Sequence, residues 1–366
     1  MHVRYSYLPQ QFAEIDDLLQ NIKALVQSGD FTLGRELERF EQGFAALIGS
    51  KHAIGVGSGT DALKLPLRAA GVGPGDEVIT TANTFIATVG AIAEVGARPV
   101  FVDCNDTFCM DVAQVEKAIT PNTKAIMPVH YTGYMTDMPA LMEIATRRGL
   151  VVVEDACQAI LADIGGKRAG TWGRAGGFSL HPLKNLNVWG DGGVIVTDDD
   201  DTAASLRLLR NHGMANRDEI AVLGYNSRLD TLQAVVGNWL LPQTESIAAK
   251  RIEHAAYYDR HLCEIPGIRI PPRVEGMRRV YHLYIVFAER RDELLAHCLA
   301  HGIEAKVHYP IPVYRQKGLA HLGYRAGDFP VTDRHLGEII TFPCDQHLSR
   351  EQQDHVIATV RSFYAQ

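Results

Sequence analysis

The chain has 366 residues, 46% apolar and 22% charged, which is ordinary for a soluble globular protein and long for a single core. A formal charge of −7 and a pI near 6.1 exclude a general affinity for nucleic acid or anionic membrane. The start, Met1-His2-Val3-Arg4-Tyr5, is no apolar leader, and no stretch approaches the length of a membrane span. Cysteines 104, 109, 157, 263, 298 and 344 show no CxxC spacing, so reduced thiols in a cytoplasmic enzyme are expected.

In chain order, a short apolar strand leads into Gly55-Val56-Gly57-Ser58-Gly59-Thr60-Asp61-Ala62-Leu63, which opens a helix. Strands are then predicted at Val78–Thr81, Pro99–Asp103, Ala125–His130, Leu150–Glu154, Gly177–Leu180 and Val194–Thr197. Helical periodicity falls between them at Ala87–Glu94, Val112–Ile119 and Met138–Arg148, the last stopped by Gly149. Near-continuous apolar strands alternating with helices predict an α/β fold whose mostly parallel sheet is covered on both faces. The acidic run Asp198–Asp201 reads as a solvated turn entering a helix, since nothing nearby completes an oxygen cage for a metal. A long helical stretch, Thr231–Leu262, then bridges to a smaller α+β domain with strands at Arg279–Phe287 and Ala305–His308 and a helix at Glu293–His301. The expected division is a large domain over 1–245 and a small one over 246–366.

In parallel sheets ligands bind beyond the carboxyl ends of the strands, where Asp155, His130 and the Lys184 loop fall. The small residues of Gly55–Leu63 let a backbone and a helix N-terminus approach an anion. A dinucleotide site is disfavoured, because the GxGxxG spacing and its distal acidic residue are missing. Each residue also has an ordinary reading: Asp155 as a helix cap, Lys184 as a solvated lysine, His181 as a hydrogen-bonded histidine, Cys157 as a small core residue. Taken together, a lysine among Leu183, Leu186 and Trp189, a strand-end aspartate and a phosphate cradle suit pyridoxal 5'-phosphate (PLP). The lysine would form the Schiff base, and the aspartate would keep the pyridine nitrogen protonated.

These segments resemble the DegT/DnrJ/EryC1/StrS family of PLP-dependent sugar aminotransferases, of aminotransferase fold type I. The resemblance is carried by Phe31-Thr32-Leu33-Gly34, Gly57–Leu63, Gly73-Pro74-Gly75-Asp76-Glu77-Val78-Ile79 and Ala82-Asn83-Thr84-Phe85. It continues through Thr120–His130, Glu154–Ala159, the Lys184 loop with Gly190–Gly193, Gly224–Ala234 and Val307-His308-Tyr309. It implies a mixed, mostly parallel sheet flanked by helices. It also implies that Lys184 binds the cofactor covalently, Asp155 partners the pyridine nitrogen and Gln158 the phenolic oxygen. Phe85 would stack on the ring, and Gly59, Thr60 and Ser179 would hold the phosphate. Asn226 matches a residue that reaches the phosphate of a neighbouring subunit, so a homodimer with shared sites is implied.

Asp191 and Leu180 depart from the family's commoner glutamate and aromatic residue without touching the proposed chemistry. The family's sugar dehydratases carry histidine at the position of Lys184, so the lysine favours transamination over dehydration. The resemblance thus implies transfer of an amino group from L-glutamate, through pyridoxamine phosphate, to a ketone of a nucleotide-linked sugar. The pattern Asn226-Ser227-Arg228-Leu229-Asp230-Thr231 leans to C3 rather than C4. His181, Arg228, His308 and Tyr309 are candidate substrate contacts, and Arg278 and Arg279 carry little weight. The rival expectations are a PLP-dependent sugar dehydratase and a non-catalytic regulatory protein on the same fold. No metal is expected.

Overall fold

The apolar runs between residues 52 and 200 form one seven-stranded sheet in the computed structural model, which describes residues 1–365. Its strands are β1 (His52–Val56), β2 (Glu77–Thr81), β3 (Arg98–Val102), β4 (Thr123–Ile126), β5 (Val151–Asp155), β6 (Ala175–Ser179) and β7 (Gly193–Thr197). The spatial order is β1-β7-β6-β5-β4-β2-β3, and β7 alone runs antiparallel to its neighbours. The sheet is therefore mixed and mostly parallel, with helices on both faces.

Alternation along each strand divides the two cores. Ala53, Val152, Val194 and Val196 pack under the helices Asp16–Ser28, Arg35–Ile48 and Thr231–Leu240. Ile54, Val56 and Ile195 face the opposite way, against Gly59–Ala69 and Asp200–Leu209. Each such valine or isoleucine, fully buried, contributes about 1.5–3 kcal/mol. The same period sends adjacent Glu154 and Asp155 to opposite faces. Pro66 sits inside the helix Gly59–Ala69. Pro66 cannot donate to the Ala62 carbonyl, which instead faces Gly177, where any Cβ would lie 2.6 Å away.

A second apolar cluster gathers Ala255, Tyr258, Tyr284, Val286, Ile340, Val356 and Val360 around the three-stranded sheet Ile268–Arg269, Tyr284–Ala288 and Ile339–Phe342. Val3 is fully buried in it, and its backbone bonds Gly302 and Glu304, so the chain starts within this C-terminal unit. Phe108, Tyr131, Leu283 and Phe287 join the two units.

Several predicted elements change. The stretch Thr231–Leu262 breaks at Pro242 into Thr231–Leu240 and Thr244–Leu262, joined by a 3₁₀ turn. Residues 112–118 form a 3₁₀ turn and a single helical turn. The strand predicted at Ala125–His130 ends at Ile126, before Pro128, which has no N–H for a ladder. Ala305–His308 is no strand; only Lys306 pairs, with Thr341. Arg279–Leu283 wraps around Thr132 and Gly133, so the strand begins at Tyr284. The helix Arg350–Tyr364 went unread although its capping box, Ser349 with Gln352, is a sequence signal.

Candidate active site

The carboxyl ends of five strands converge on one cavity of about 330 Å³. After β1 come Ser58, Gly59 and Thr60; after β2, Thr84 and Phe85; after β4, Val129; β5 ends in Asp155 and β6 in Ser179. Lys184 enters from the loop between β6 and β7.

Asp155 is 6% exposed. Its carboxylate is oriented by the Thr88 hydroxyl, which donates to Oδ2 at 2.7 Å, and by the Cys157 amide, which donates to Oδ1 at 3.1 Å. Thr84 in turn lies 2.6 Å from Thr88, oxygen to oxygen. Lys184 is half-buried at the cavity wall. Burial pushes its amine below the ordinary lysine value, against the opposing influence of Cys157 and Asp155. An amine that gives up its proton more readily is better placed to act as nucleophile and proton acceptor. The loop is held by Lys184 N–H, which donates to the His181 carbonyl at 2.8 Å, and by Asn185 Nδ2, which donates to the Val280 carbonyl at 3.1 Å.

The far wall is the N-terminus of the helix Gly59–Ala69, capped by Ser58, whose hydroxyl accepts from the Asp61 amide at 3.1 Å. A Cβ on residue 59 would lie 2.7 Å from Ser179 Cβ, so only glycine lets helix start and strand end meet. First-turn amides lack intrahelical partners and suit an anion. A phosphate at Gly59, Thr60 and Ser179, a pyridine nitrogen at Asp155 and a carbonyl carbon at Lys184 are the three attachments PLP needs. The residues present therefore fit the cofactor.

The remaining candidates divide. Gln158 is 7% exposed, and its Oε1 accepts from the Thr132 amide at 2.8 Å, which makes Nε2 the donor end of the amide. Phe85 lies at the mouth with its ring 5.7 Å from that of Tyr309. His308 Nδ1 is 2.9 Å from the Thr341 hydroxyl, and burial lowers its imidazole to about 4, aided by Lys306 and Lys184. Burial raises the Tyr309 phenol to about 12. His181 also lines the cavity and is lowered by burial and then by Lys184. Asn226 and Arg228 do not line it: Asn226 is exposed, and Arg228 Nη1 donates to Asn211 Oδ1 at 2.9 Å. Arg278 pairs with Glu245, while Arg279 is no solvated loop residue but is buried between the rings of Tyr134 and Tyr281.

His130, placed at a strand end by the sequence, is fully buried outside the cavity. Its Nε2–H donates to Glu154 at 2.8 Å, and its Nδ1 accepts from the Thr136 amide. Glu154 accepts three further backbone N–H bonds, from Gly170, Trp172 and Gly173. This carboxylate is saturated and structural. Cys157, read as core, lines the cavity with its thiol held protonated by burial. Tyr5, Thr88, Lys306 and His282 went unread at the site; nothing local in the sequence links them to it.

The neutral histidines carry a pH consequence. His308 has a folded value near 4, below its ordinary 6.5. As pH falls from about 6.5 to 4, the unfolded chain takes up a proton that the folded imidazole refuses, so stability declines. Thermal unfolding midpoints should fall across that window, and His308→Gln should flatten the decline. An unchanged slope in the variant would contradict the assignment.

The fold and the site define a PLP-dependent aminotransferase. The sequence model of the DegT/DnrJ/EryC1/StrS aminotransferase family matches residues 13–361, and the chain belongs to that family. It is 44% identical to a "Pleiotropic regulatory protein" of Geobacillus stearothermophilus, over all of this chain and 99% of the relative. It is 42% identical to the dTDP-3-amino-3,4,6-trideoxy-alpha-D-glucose transaminase of Micromonospora megalomicea, over 98% of this chain and 97% of the relative. The crystal structure of S. venezuelae DesV with a ketimine intermediate superposes with a TM-score of 0.97 at 41% identity, covering 100% of this chain and 99% of that one.

Proposed function

We propose that this aminotransferase moves the amino group of L-glutamate to a keto carbon, C3 in preference to C4, of a nucleotide-linked deoxy or amino sugar. The observation that carries the reading is the meeting of Lys184, Asp155 and the Gly59 helix start at one cavity. The name of the Micromonospora relative, which places the amine at C3 of a dTDP-linked sugar, supports the position.

PLP supplies an electron-withdrawing ring that stabilises negative charge at the carbon attached to the amino nitrogen. The protein's side chains do the rest. Lys184, whose pKa burial lowers, takes a proton at Nζ from one carbon and returns it to another. Asp155, fixed by Thr88 and the Cys157 amide, presents its negative charge to the ring nitrogen. Gly59, Thr60 and Ser179 would hold the phosphate, and Gln158 Nε2 would donate to the ring oxygen. Phe85 would cover the ring, while neutral His308 and protonated Tyr309 would offer hydrogen bonds to sugar hydroxyls. The cofactor-binding unit is residues 1–245 apart from the first few, and the small unit is residues 246–366.

Incubation of the purified protein with glutamate should release 2-oxoglutarate, and a screen of 3-keto and 4-keto nucleotide sugars should place the new amine at C3. Amination at C4 alone would refute the preferred position. A regulatory reading is favoured by the name of the Geobacillus relative. It requires that glutamate release no 2-oxoglutarate.

The enzyme works, in this reading, in the cytoplasm as a homodimer with shared sites. No helix among the described residues is long and apolar enough to cross a membrane. Asn226, outside its own chain's cavity, is exposed beside an apolar loop where Leu223 is 85%, Ile220 55% and Val222 43% exposed. That loop borders a groove of about 560 Å³ against Arg68 and Leu209. Such apolar exposure on one face fits a covered interface. Leu223→Asp should shift the species seen by analytical ultracentrifugation from dimer towards monomer and weaken cofactor retention. A monomeric parent protein would end this reading.

A further inference from the structure

A directed chain of buried hydrogen bonds runs from the small unit to the backbone of Lys184. Arg251 Nε donates to Gln346 Oε1 at 3.1 Å, and Gln346 Nε2 donates to Gln11 Oε1 at 2.8 Å. Gln11 Nε2 donates to Asn187 Oδ1 at 2.9 Å, and Asn187 Nδ2 donates to the Lys184 carbonyl at 2.9 Å. The four side chains are 8% exposed or less. An arginine only donates and a carbonyl only accepts, so both ends fix the sense. Each of the three amides between them has one orientation; turning any one over sets like against like at both of its contacts.

Both ends are themselves anchored. Arg251 Nη1 donates to the Tyr281 and Cys344 carbonyls at 3.2 and 3.1 Å. The Tyr7 hydroxyl donates to the Lys184 carbonyl at 3.1 Å, giving that oxygen a second donor. The loop from Leu180 to Gly192 has no helix or strand of its own. Besides the turn closed on His181 and the bond from Asn185 to the Val280 carbonyl, the Lys184 carbonyl itself is held from outside, by Tyr7 and, through Asn187, by Gln11 of the N-terminal segment.

We propose that Gln11 is a positioning residue for Lys184. Acting through Asn187, and in parallel with Tyr7, it makes the N-terminal segment a strap that fixes the lysine's backbone relative to Asp155. This inference rests on Lys184 being the cofactor lysine. A buried chain of hydrogen bonds with a fixed sense admits one arrangement, whereas an apolar contact of equal area tolerates several. A reactive amine has a tolerance of about 0.5 Å before rate is lost.

The test uses the full-length protein with Gln11→Met, which removes both bonds at nearly constant length, and Gln11→Glu. The glutamate still accepts from Gln346 and offers nothing to Asn187. Amide hydrogen exchange is measured in the cofactor-free protein, and steady-state kinetics in the loaded one. Exchange over residues 181–192 should quicken about 10-fold in both variants with β5 and β6 unchanged, since only the loop loses a tie. Turnover (kcat) should fall about 10-fold with KM within about twofold, because displaced geometry costs rate rather than binding. Adding Tyr7→Phe to Gln11→Met should cost more than the product of the single losses, since the carbonyl then keeps only Asn187 as a side-chain donor, and Asn187 has lost the bond that orients it. Parent-like loop exchange and kcat in both variants would overturn the proposal, as would a rise in exchange spread evenly over the sheet with kcat unchanged. If the parent itself shows no transamination, the proposed function fails instead, and the loop exchange still reports on the strap.

Discussion

Lys184→Ala is expected to abolish the absorbance of covalently held cofactor and to lower kcat by roughly 10⁴-fold or more, since the proposed nucleophile and proton carrier would be lost together. Lys184 is the one amine at the inner wall; Lys306 also lines the cavity but is exposed at its mouth. Burial keeps the Lys184 amine more easily deprotonated than an ordinary lysine, so no neighbouring cation substitutes for it. Truncation opens space toward the cavity rather than inside a closed core, so the fold should survive. The phosphate cradle and Asp155 remain, so cofactor should still bind without a covalent link. Equilibrium dialysis with PLP and an absorbance scan separate the two states. A retained covalent band in the variant would sink the assignment of Lys184.

Asp155→Asn should leave the structure in place and lower kcat about 10²- to 10⁴-fold, the range of a group that tunes proton transfer. The amide oxygen can still accept from the Cys157 N–H, and the amide N–H₂ can donate to the Thr88 hydroxyl, which now bonds Oδ2. What disappears is the negative charge. In the proposed function the ring nitrogen would lose its partner, and Lys184 loses one of the two influences that raise its pKa. The acid side of the pH–rate profile should therefore move to lower pH in the variant, even as the maximum rate falls. A shift to higher pH, or an unchanged rate, would remove Asp155 from the chemistry.

The sheet and the two residues at its centre were legible for definite reasons. Val151–Glu154 is a continuous apolar run closed by acids, and Met138–Arg148 carries helical period and a glycine stop, so both were read nearly to the residue. The motif Gly57–Leu63 showed the helix start because its small residues serve a local purpose, the approach to Ser179. The small unit was harder. Lys306 and His308 lie in a segment with strand-like composition but a single backbone bridge, from Lys306 to Thr341 of the strand Ile339–Phe342. Arg279 read as a loop arginine, yet the Thr132 turn and two tyrosines bury it. Asn226 and Arg228 sit in a motif that reads as part of the site, but their own chain turns them elsewhere.

By itself the sequence determined the α/β class, the strand-end aspartate, the loop lysine and the glycine cradle, because each rests on local period or backbone sterics within about ten residues. Only the tertiary structure decided what surrounds them. Thr88 on Asp155, Thr132 on Gln158, Tyr5 and His282 in the cavity wall, and Gln11 behind Asn187 are contacts between distant segments. No periodicity encodes such pairings, since they depend on how whole elements pack. The apolar neighbours of Lys184 pointed to a desolvated amine, but its place in the wall and the opposing influence of Asp155 needed the fold, because desolvation is a property of the finished cavity and not of the residue.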